Sequence, residues 1–471
     1  MNIKKLNYVL VIVWLIIAVI AMFHHEIWRD EARVWWFLQE YDYKTLFRAI
    51  PNDGHPYLWY LILLPFAKNN FPVFTMQIVS LLSVFFSVCI FCFKSKFNFL
   101  IKVLFVLSSG MLYFLPVISR NYAIIPIFLF SLAVLYPKRN EHYFLYTFNL
   151  ILLSQTHILM EGTSFILWLL FVIEQIKLMK LSDIKQTLLK LLNLLIFIIY
   201  AFFMLYIFTK LISTTTHPLI LKVAYPVKIS AVNVFVYKHL YDMFQCELFW
   251  KHLYFTAAGL LSLAILKCDF KAFLVLFVSL LFILYIFVHI WFGGIPYQKF
   301  FIITLIFVFC CMILNLQSRF NNVLVQSLLA IFLLISFYIF NPVDIIKKNI
   351  KYKFTNTKEI YDYLKKENLN SHENILLVDY EYTMEDTFKV YFKNNMFPRR
   401  DFKENEDYYS LINKEIEKRP NLKYIIVNSR YKNFINKTNL VPVILFSDND
   451  KKVIYRFNTN EYYYLYKTGD D

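Results

Sequence analysis

Lys4-Lys5-Leu6-Asn7-Tyr8-Val9-Leu10-Val11-Ile12-Val13-Trp14-Leu15-Ile16-Ile17-Ala18-Val19-Ile20-Ala21-Met22-Phe23, followed at once by His24-His25-Glu26-Ile27-Trp28-Arg29-Asp30-Glu31-Ala32-Arg33, is the stretch on which the fold turns. A run of roughly 18 or more apolar residues is long enough to cross the hydrocarbon core of a bilayer as a helix, and Leu6–Phe23 meets that length. The two lysines before it also fit a secretory signal peptide. No small-residue cleavage site precedes the charged stretch His24–Asp30, so the run reads as a retained membrane helix.

The rest of the chain repeats this pattern. Similar apolar runs lie near 71–93, 97–115, 121–137, 142–156, 158–175, 190–211, 247–266, 272–290, 300–316 and 322–340, about eleven with the first. Tyr57–Phe66 is shorter and reads as a juxtamembrane or re-entrant helix. Of the 471 residues, 59% are hydrophobic and 20% aromatic, with only seven glycines, an excess over soluble domains. The formal charge of +16 would otherwise point to nucleic acid. The basic residues instead sit in short clusters between apolar runs, and neither a zinc-finger spacing nor an RNA-binding aromatic signature occurs, so no nucleic-acid partner is expected. Six cysteines mostly lie inside apolar segments, and the Cys89/Cys92 spacing reads as two small hydrophobes within a helix rather than as a redox or zinc motif.

Charge then orients the chain. Lys4/Lys5, Lys94/Lys96, Lys138/Arg139, Lys177–Lys190, Lys267/Lys271 and Arg319 all fall on one side of an eleven-span arrangement, which the positive-inside rule assigns to the cytoplasm. The N-terminus is then cytoplasmic. The loop 24–70, the turn at 119–121, residues 154–161, the loop 213–246, the turn 291–299 and everything after Asn341 face outward. The expected fold is therefore a polytopic α-helical membrane protein in the cell membrane: a transmembrane domain over 1–340, then an extracytoplasmic α/β domain over 341–471. In that tail, charge density rises and short runs such as 375–378, 424–427, 443–446 and 453–457 read as strands. Asn356 followed by Glu359 reads as a helix start before Ile360–Leu364, and 408–418 reads as a further helix.

The residues able to carry chemistry gather on the outer side. Asp30 and Glu31 are adjacent carboxylates between Arg29 and Arg33 at the water–lipid boundary. Cations keep such acids ionised while low-dielectric surroundings raise basicity, which suits a general base. The structural alternative is a salt-bridged helix start with Asp30 as its cap. Asn52-Asp53-Gly54-His55-Pro56-Tyr57 combines turn residues with a proline that pre-sets a helix start. That puts His55 where backbone donors favour an anion. Arg120 lies in Ser119-Arg120-Asn121-Tyr122 at the head of another span, where a charge either snorkels or pairs. His157, Glu161 and His217 read best as interface anchors, and His289 with Gly293-Gly294-Ile295-Pro296-Tyr297-Gln298-Lys299 completes the outer set. No Walker A loop, dinucleotide glycine motif, HExxH or GxSxG occurs, which leaves ATP hydrolysis, nicotinamide chemistry and those hydrolases without support.

The order of these features resembles the GT-C superfamily of membrane glycosyltransferases, nearest to the protein O-mannosyltransferase and aminoarabinose transferase type. The resemblance is carried by Asp30-Glu31 after the first helix, by His55-Pro56-Tyr57-Leu58-Trp59-Tyr60, by Ser119-Arg120-Asn121-Tyr122 and by the long loop 213–246. Tyr57 stands where the family often has a second proline, and 213–246 holds no arginine. The resemblance implies a polyprenyl-phosphate sugar as donor and an extracytoplasmic lipid, glycan or protein hydroxyl as acceptor. Asp30, or else Glu31, would be the base of an inverting transfer. His55, Arg120 and Lys299 would hold the donor phosphate, and Tyr57, Tyr122, Tyr297, Gln298 and His157 would line the substrate site. No metal or other cofactor is required. Two readings compete: a non-enzymatic lipid or solute transporter or flippase, and a membrane-anchored assembly protein acting through its tail. Transporters tend to show internal repeats and ionisable residues near the midplane, and no repeat is visible.

Overall fold

The computed structural model describes residues 3–52, 55–179, 184–214, 248–289, 296–317, 323–351, 357–366, 375–378, 387, 390–391, 418, 424–428, 442–447 and 462–467. Ten helices precede residue 215: α1 Ile3–Phe23, α2 Arg29–Glu40, α3 Tyr43–Asn52, α4 Leu58–Lys68, α5 Phe74–Lys94, α6 Phe99–Val106, α7 Ile125–Leu135, α8 Tyr143–Ser154, α9 Glu161–Lys177 and α10 Ile184–Thr214. Leu248–Cys268, Phe270–His289, Pro296–Leu316, Val323–Ile339, Pro342–Lys351 and Thr357–Lys366 follow. Among the described residues, seven helical stretches are long and apolar enough to cross a membrane: Ile3–Phe23, Phe74–Lys94, Asn121–Lys138, Ile158–Lys177, Ile184–Met204, Phe270–Phe287 and Val323–Lys351. The molecule is a polytopic helical membrane protein.

Two of the runs expected to cross the membrane, 97–115 and 142–156, differ from that reading among the described residues. Tyr143–Ser154, at 12 residues, is shorter than a full span, as is Leu58–Lys68, whereas Leu248–Cys268 and Pro296–Leu316 each run 21 residues. The run 97–115 is not one helix. Asn98 caps α6 by accepting from the Ile101 amide at 3.0 Å, but α6 stops at Val106 and the chain widens into a π-helical turn over Gly110–Phe114. Ser108, Ser109 and Gly110 are weak helix formers, and Pro116 has no amide to donate. Gly110 is needed here, because a Cβ on it would lie 2.5 Å from the Phe301 ring.

The described chain forms two compact units. The first, Met1–Ile20, Tyr41–Leu63 and Gln77–Val343, is the helical bundle. Within it α9 packs on Phe270–His289, α8 on α7 and α9, α7 on Pro296–Leu316, and Leu248–Cys268 on Val323–Ile339. Trp14 is fully buried and its indole donates to the Met111 carbonyl at 2.8 Å, tying α1 to the broken segment. Asn7 and the buried Lys102 both donate to the Cys92 carbonyl, at 2.8 and 2.7 Å. The Arg139 guanidinium grips the Glu174 carboxylate through two bonds of 2.8 and 2.7 Å, and Lys271 adds a third at 2.6 Å. A fork held this way resists fraying more than a lone surface pair does.

The second unit comprises Ala21–Glu40, Leu64–Met76 and Asp344–Asp471. Asn70 takes the left-handed conformation (φ 59°) just past α4, and the Phe71 amide returns to the Phe66 carbonyl, a helix-ending turn in which asparagine substitutes for glycine. Asn349 donates to the Ala21 carbonyl at 2.8 Å and so anchors Pro342–Lys351 to the end of α1. Four strands, β1 Ile375–Val378, β2 Tyr424–Asn428, β3 Pro442–Ser447 and β4 Tyr462–Lys467, form one sheet in the order β1-β2-β4-β3. β1 and β2 are parallel, while β4 runs antiparallel to both its neighbours. Pro442 lies on the edge strand, where a missing ladder amide is tolerated. The strand expected over 453–457 and the helix over 408–417 lie outside the described residues.

Candidate functional site

The two carboxylates of the Asp30-Glu31 pair have different surroundings. Adjacent helix residues point about 100° apart, so the start of α2 sends them to different places. Glu31 turns back: its Oε2 accepts from the Trp28 amide at 2.8 Å and contacts His25 Nε2 at 2.9 Å, with both side chains fully buried. That is the return half of a capping box, with Trp28 in the cap position. The capping role therefore belongs to Glu31 and not to Asp30. Asp30 stays partly open, at 20% side-chain exposure, with its Oδ1 held by Arg29 Nε at 2.9 Å. Also in this unit, burial raises the Tyr391 phenol above its ordinary range, and the charges of Glu26, Glu31 and Asp362 add to the effect.

In the helical bundle three short turns converge. His55 precedes α4, Arg120 precedes the turn Asn121–Ile124, and His157 caps the turn Ile158–Met160. Arg120 Nη2 lies 2.8 Å from His55 Nε2, and the His157 ring sits 5.2 Å from that of His55 and 4.3 Å from that of Tyr122. Asn121 donates to the Thr156 carbonyl at 2.9 Å, which locks two of the turns together. His157 Nδ1 accepts from the Leu159 amide at 3.1 Å, so the proton of the neutral ring is on Nε2. That Nε2 is buried with no hydrogen-bond partner among the described residues. Burial, reinforced by the charges of His55 and Arg120, holds His157 well below the ordinary histidine range. The result is a neutral donor beside a cation-bearing pair.

Next to this cluster lies a cavity of about 710 Å³, apolar over most of its wall. His55, Tyr57, Gln155, Glu161, Tyr200 and Phe282 are among the residues that line it. Tyr57 is fixed from both ends: its amide donates to Gln155 Oε1 at 3.4 Å and its hydroxyl to the Phe47 carbonyl at 3.2 Å. Burial, and then Tyr206, raises the Tyr57 phenol. Such a chamber, with His55 on its wall and Arg120 in contact with that histidine, can hold an amphiphile with an anionic head.

Of the residues expected at the site, His55, Tyr57, Arg120, Tyr122 and His157 share this region, while Asp30 and Glu31 belong to the other unit. The backbone of Tyr297, Gln298 and Lys299 is helical, and their side chains lie outside the described set, as does that of His289. His217 and residues 215–247 also lie outside it. Glu161, expected as an interface anchor, lines the cavity instead. Its signal was a carboxyl at the head of an apolar span. His25, Gln155 and Tyr200 carried no pattern that marks them. No protein-family model matches the chain, and no curated protein or solved structure matches it either.

Proposed function

We propose that the protein is a membrane glycosyltransferase of the GT-C type, which moves a sugar from a polyprenyl-phosphate donor to an acceptor hydroxyl outside the cytoplasm. One observation carries the reading: the Arg120–His55 contact of 2.8 Å, with the buried His157 donor beside it, adjoins an apolar cavity of about 710 Å³. A phosphate attached to a long hydrocarbon needs that combination of anion-binding groups and apolar volume. In this scheme the base, assigned to Asp30 from the resemblance alone, takes the proton from the acceptor O–H as the oxygen attacks the anomeric carbon. The bond from that carbon to the phosphate oxygen breaks, its electron pair leaves with the polyprenyl phosphate, and the anomeric configuration inverts. His55, Arg120 and His157 stabilise the leaving charge. Lys299, Tyr297 and Gln298 are assigned to the same substrate region from the resemblance alone. The segment after Asn341 would be an extracytoplasmic α/β domain and the N-terminus would be cytoplasmic.

Transfer from a panel of radiolabelled polyprenyl-phosphate hexoses and pentoses tests the scheme. Asp30→Asn is expected to lower turnover by about 10²–10⁴-fold without weakening binding of polyprenyl phosphate. Normal turnover by this variant would remove Asp30 as the base. The transporter reading draws on Glu161, a carboxyl facing a cavity from within an apolar span. It predicts that Asp30→Asn leaves lipid movement across a vesicle bilayer unchanged.

A further inference from the structure

We propose that Glu161, with Ser164 one helical turn further on, is the headgroup-reading edge of the apolar cavity, and that the cavity's ligand carries a hydrogen-bond donor, hydroxyl or ammonium, at that edge. The proposal rests on the reading of this cavity as a lipid-donor site and names the groups that would discriminate among donors.

Both residues line the cavity, and both present a buried oxygen, Glu161 Oε1 and Ser164 Oγ, with no hydrogen-bond partner among the described residues. Residues three apart on a helix lie on one face, so the two groups form a single polar edge of α9. They share the wall with Phe165, Phe197, Met204 and Phe282. A carboxyl among such neighbours is costly unless something pairs with it, and ionisable groups kept within membrane spans generally serve a ligand or a pathway. Ser154, Gln155 and Tyr200 on the same wall are matched to one another. Gln155 Nε2 donates to the Tyr200 hydroxyl at 2.7 Å, and Ser154 also bonds Tyr200. Glu161 stands outside that network.

The edge is also rigid. Thr163 Oγ1 donates to Ser279 Oγ at 2.8 Å, and Ser279 in turn donates to the Val275 carbonyl at 2.6 Å. Gly162 lets α9 approach Phe270–His289 so closely that a Cβ there would sit 2.4 Å from Phe282 Cβ. Groups held this firmly bind a ligand without first being ordered. The unpartnered Glu161 oxygen is an acceptor that a ligand O–H or N–H would satisfy, and His55 on the same wall supplies the complementary contact for an anion.

The full-length protein in nanodiscs, loaded with tritiated hexadecanol, tests this by competition with unlabelled hexadecanol, hexadecylamine and hexadecyl methyl ether. In the wild type, the alcohol or the amine should compete at least about tenfold better than the ether, which has the same chain and no donor. Glu161→Leu should erase that preference, Ser164→Ala should reduce it, and Glu161→Gln should spare the alcohol while weakening the amine. Equal competition by ether, alcohol and amine in the wild type would overturn the proposal, whether or not any variant folds. So would undiminished discrimination in Glu161→Leu. None of the probes carries phosphate or sugar. A negative result therefore leaves phosphate binding by His55 and Arg120 standing, and failure of the transferase assay leaves this measurement intact.

Discussion

Asp30 and Glu31 differ by one position and by everything around them. Glu31 holds the Trp28 amide and His25 in a fully buried pair, so Glu31→Gln should cost about 1–3 kcal/mol of stability by weakening a buried acceptor. Asp30→Asn, at a partly exposed carboxyl held by the arginine on the neighbouring residue, should cost well under that. Thermal unfolding of both variants in one detergent checks the contrast; equal destabilisation would mean that Asp30 too is structural. His157 makes a second residue-scale prediction. Its folded pKa is depressed, so below about pH 6.5 the unfolded chain takes up a proton that the folded chain refuses. Stability should therefore be fully present above that value and fall as pH drops, by up to about 1.4 kcal/mol per pH unit from this group. His157→Asn should flatten that part of the curve; an unchanged acid limb would show that His157 is protonated in the fold.

At the scale of elements, Gly162 sets the spacing between α9 and Phe270–His289. Gly162→Ala must push Phe282 aside, at a cost of roughly 1–3 kcal/mol, and should narrow the cavity. Reduced thermal stability together with weaker lipid binding is the expected pair of readouts; a neutral substitution would mean that the helices slip apart freely. Elements also show where sequence reading succeeds and where it stops. The apolar run 97–115 is visible as membrane-compatible, because hydropathy counts transfer free energy. It carries no information on helix continuity, and the break lay in Ser108-Ser109-Gly110 and Pro116, signals that a hydropathy reading passes over. The pairing of two carboxylates at 30 and 31 is legible, but their separation of roles is not, since Trp28 in the cap position hides the capping-box pattern. His55 and Arg120 are 65 positions apart, and only their shared side of the membrane suggested a meeting. The strand β4 carries four tyrosines and was not singled out, because its alternation is masked by aromatic residues on both faces.

At the scale of the molecule, seven helical stretches among the described residues have the length and composition to cross a membrane, and the proposed orientation rests on the basic clusters between apolar runs. The orientation predicts opposite sides for two exposed positions, Lys44 on α3 and Lys138 past α7. Against a wild-type background, a membrane-impermeant maleimide should label Lys44→Cys in intact cells and Lys138→Cys only after permeabilisation. The reverse pattern would invert the topology and put the proposed donor site on the cytoplasmic side. The most direct measurement of the central claim needs no knowledge of the sugar: binding of polyprenyl monophosphate to the protein in nanodiscs, compared with the matching polyprenol. The transferase account predicts at least about tenfold tighter binding of the phosphate, lost in Arg120→Ala and His55→Ala. Equal affinity for phosphate and alcohol, or full phosphate affinity in both variants, would contradict it.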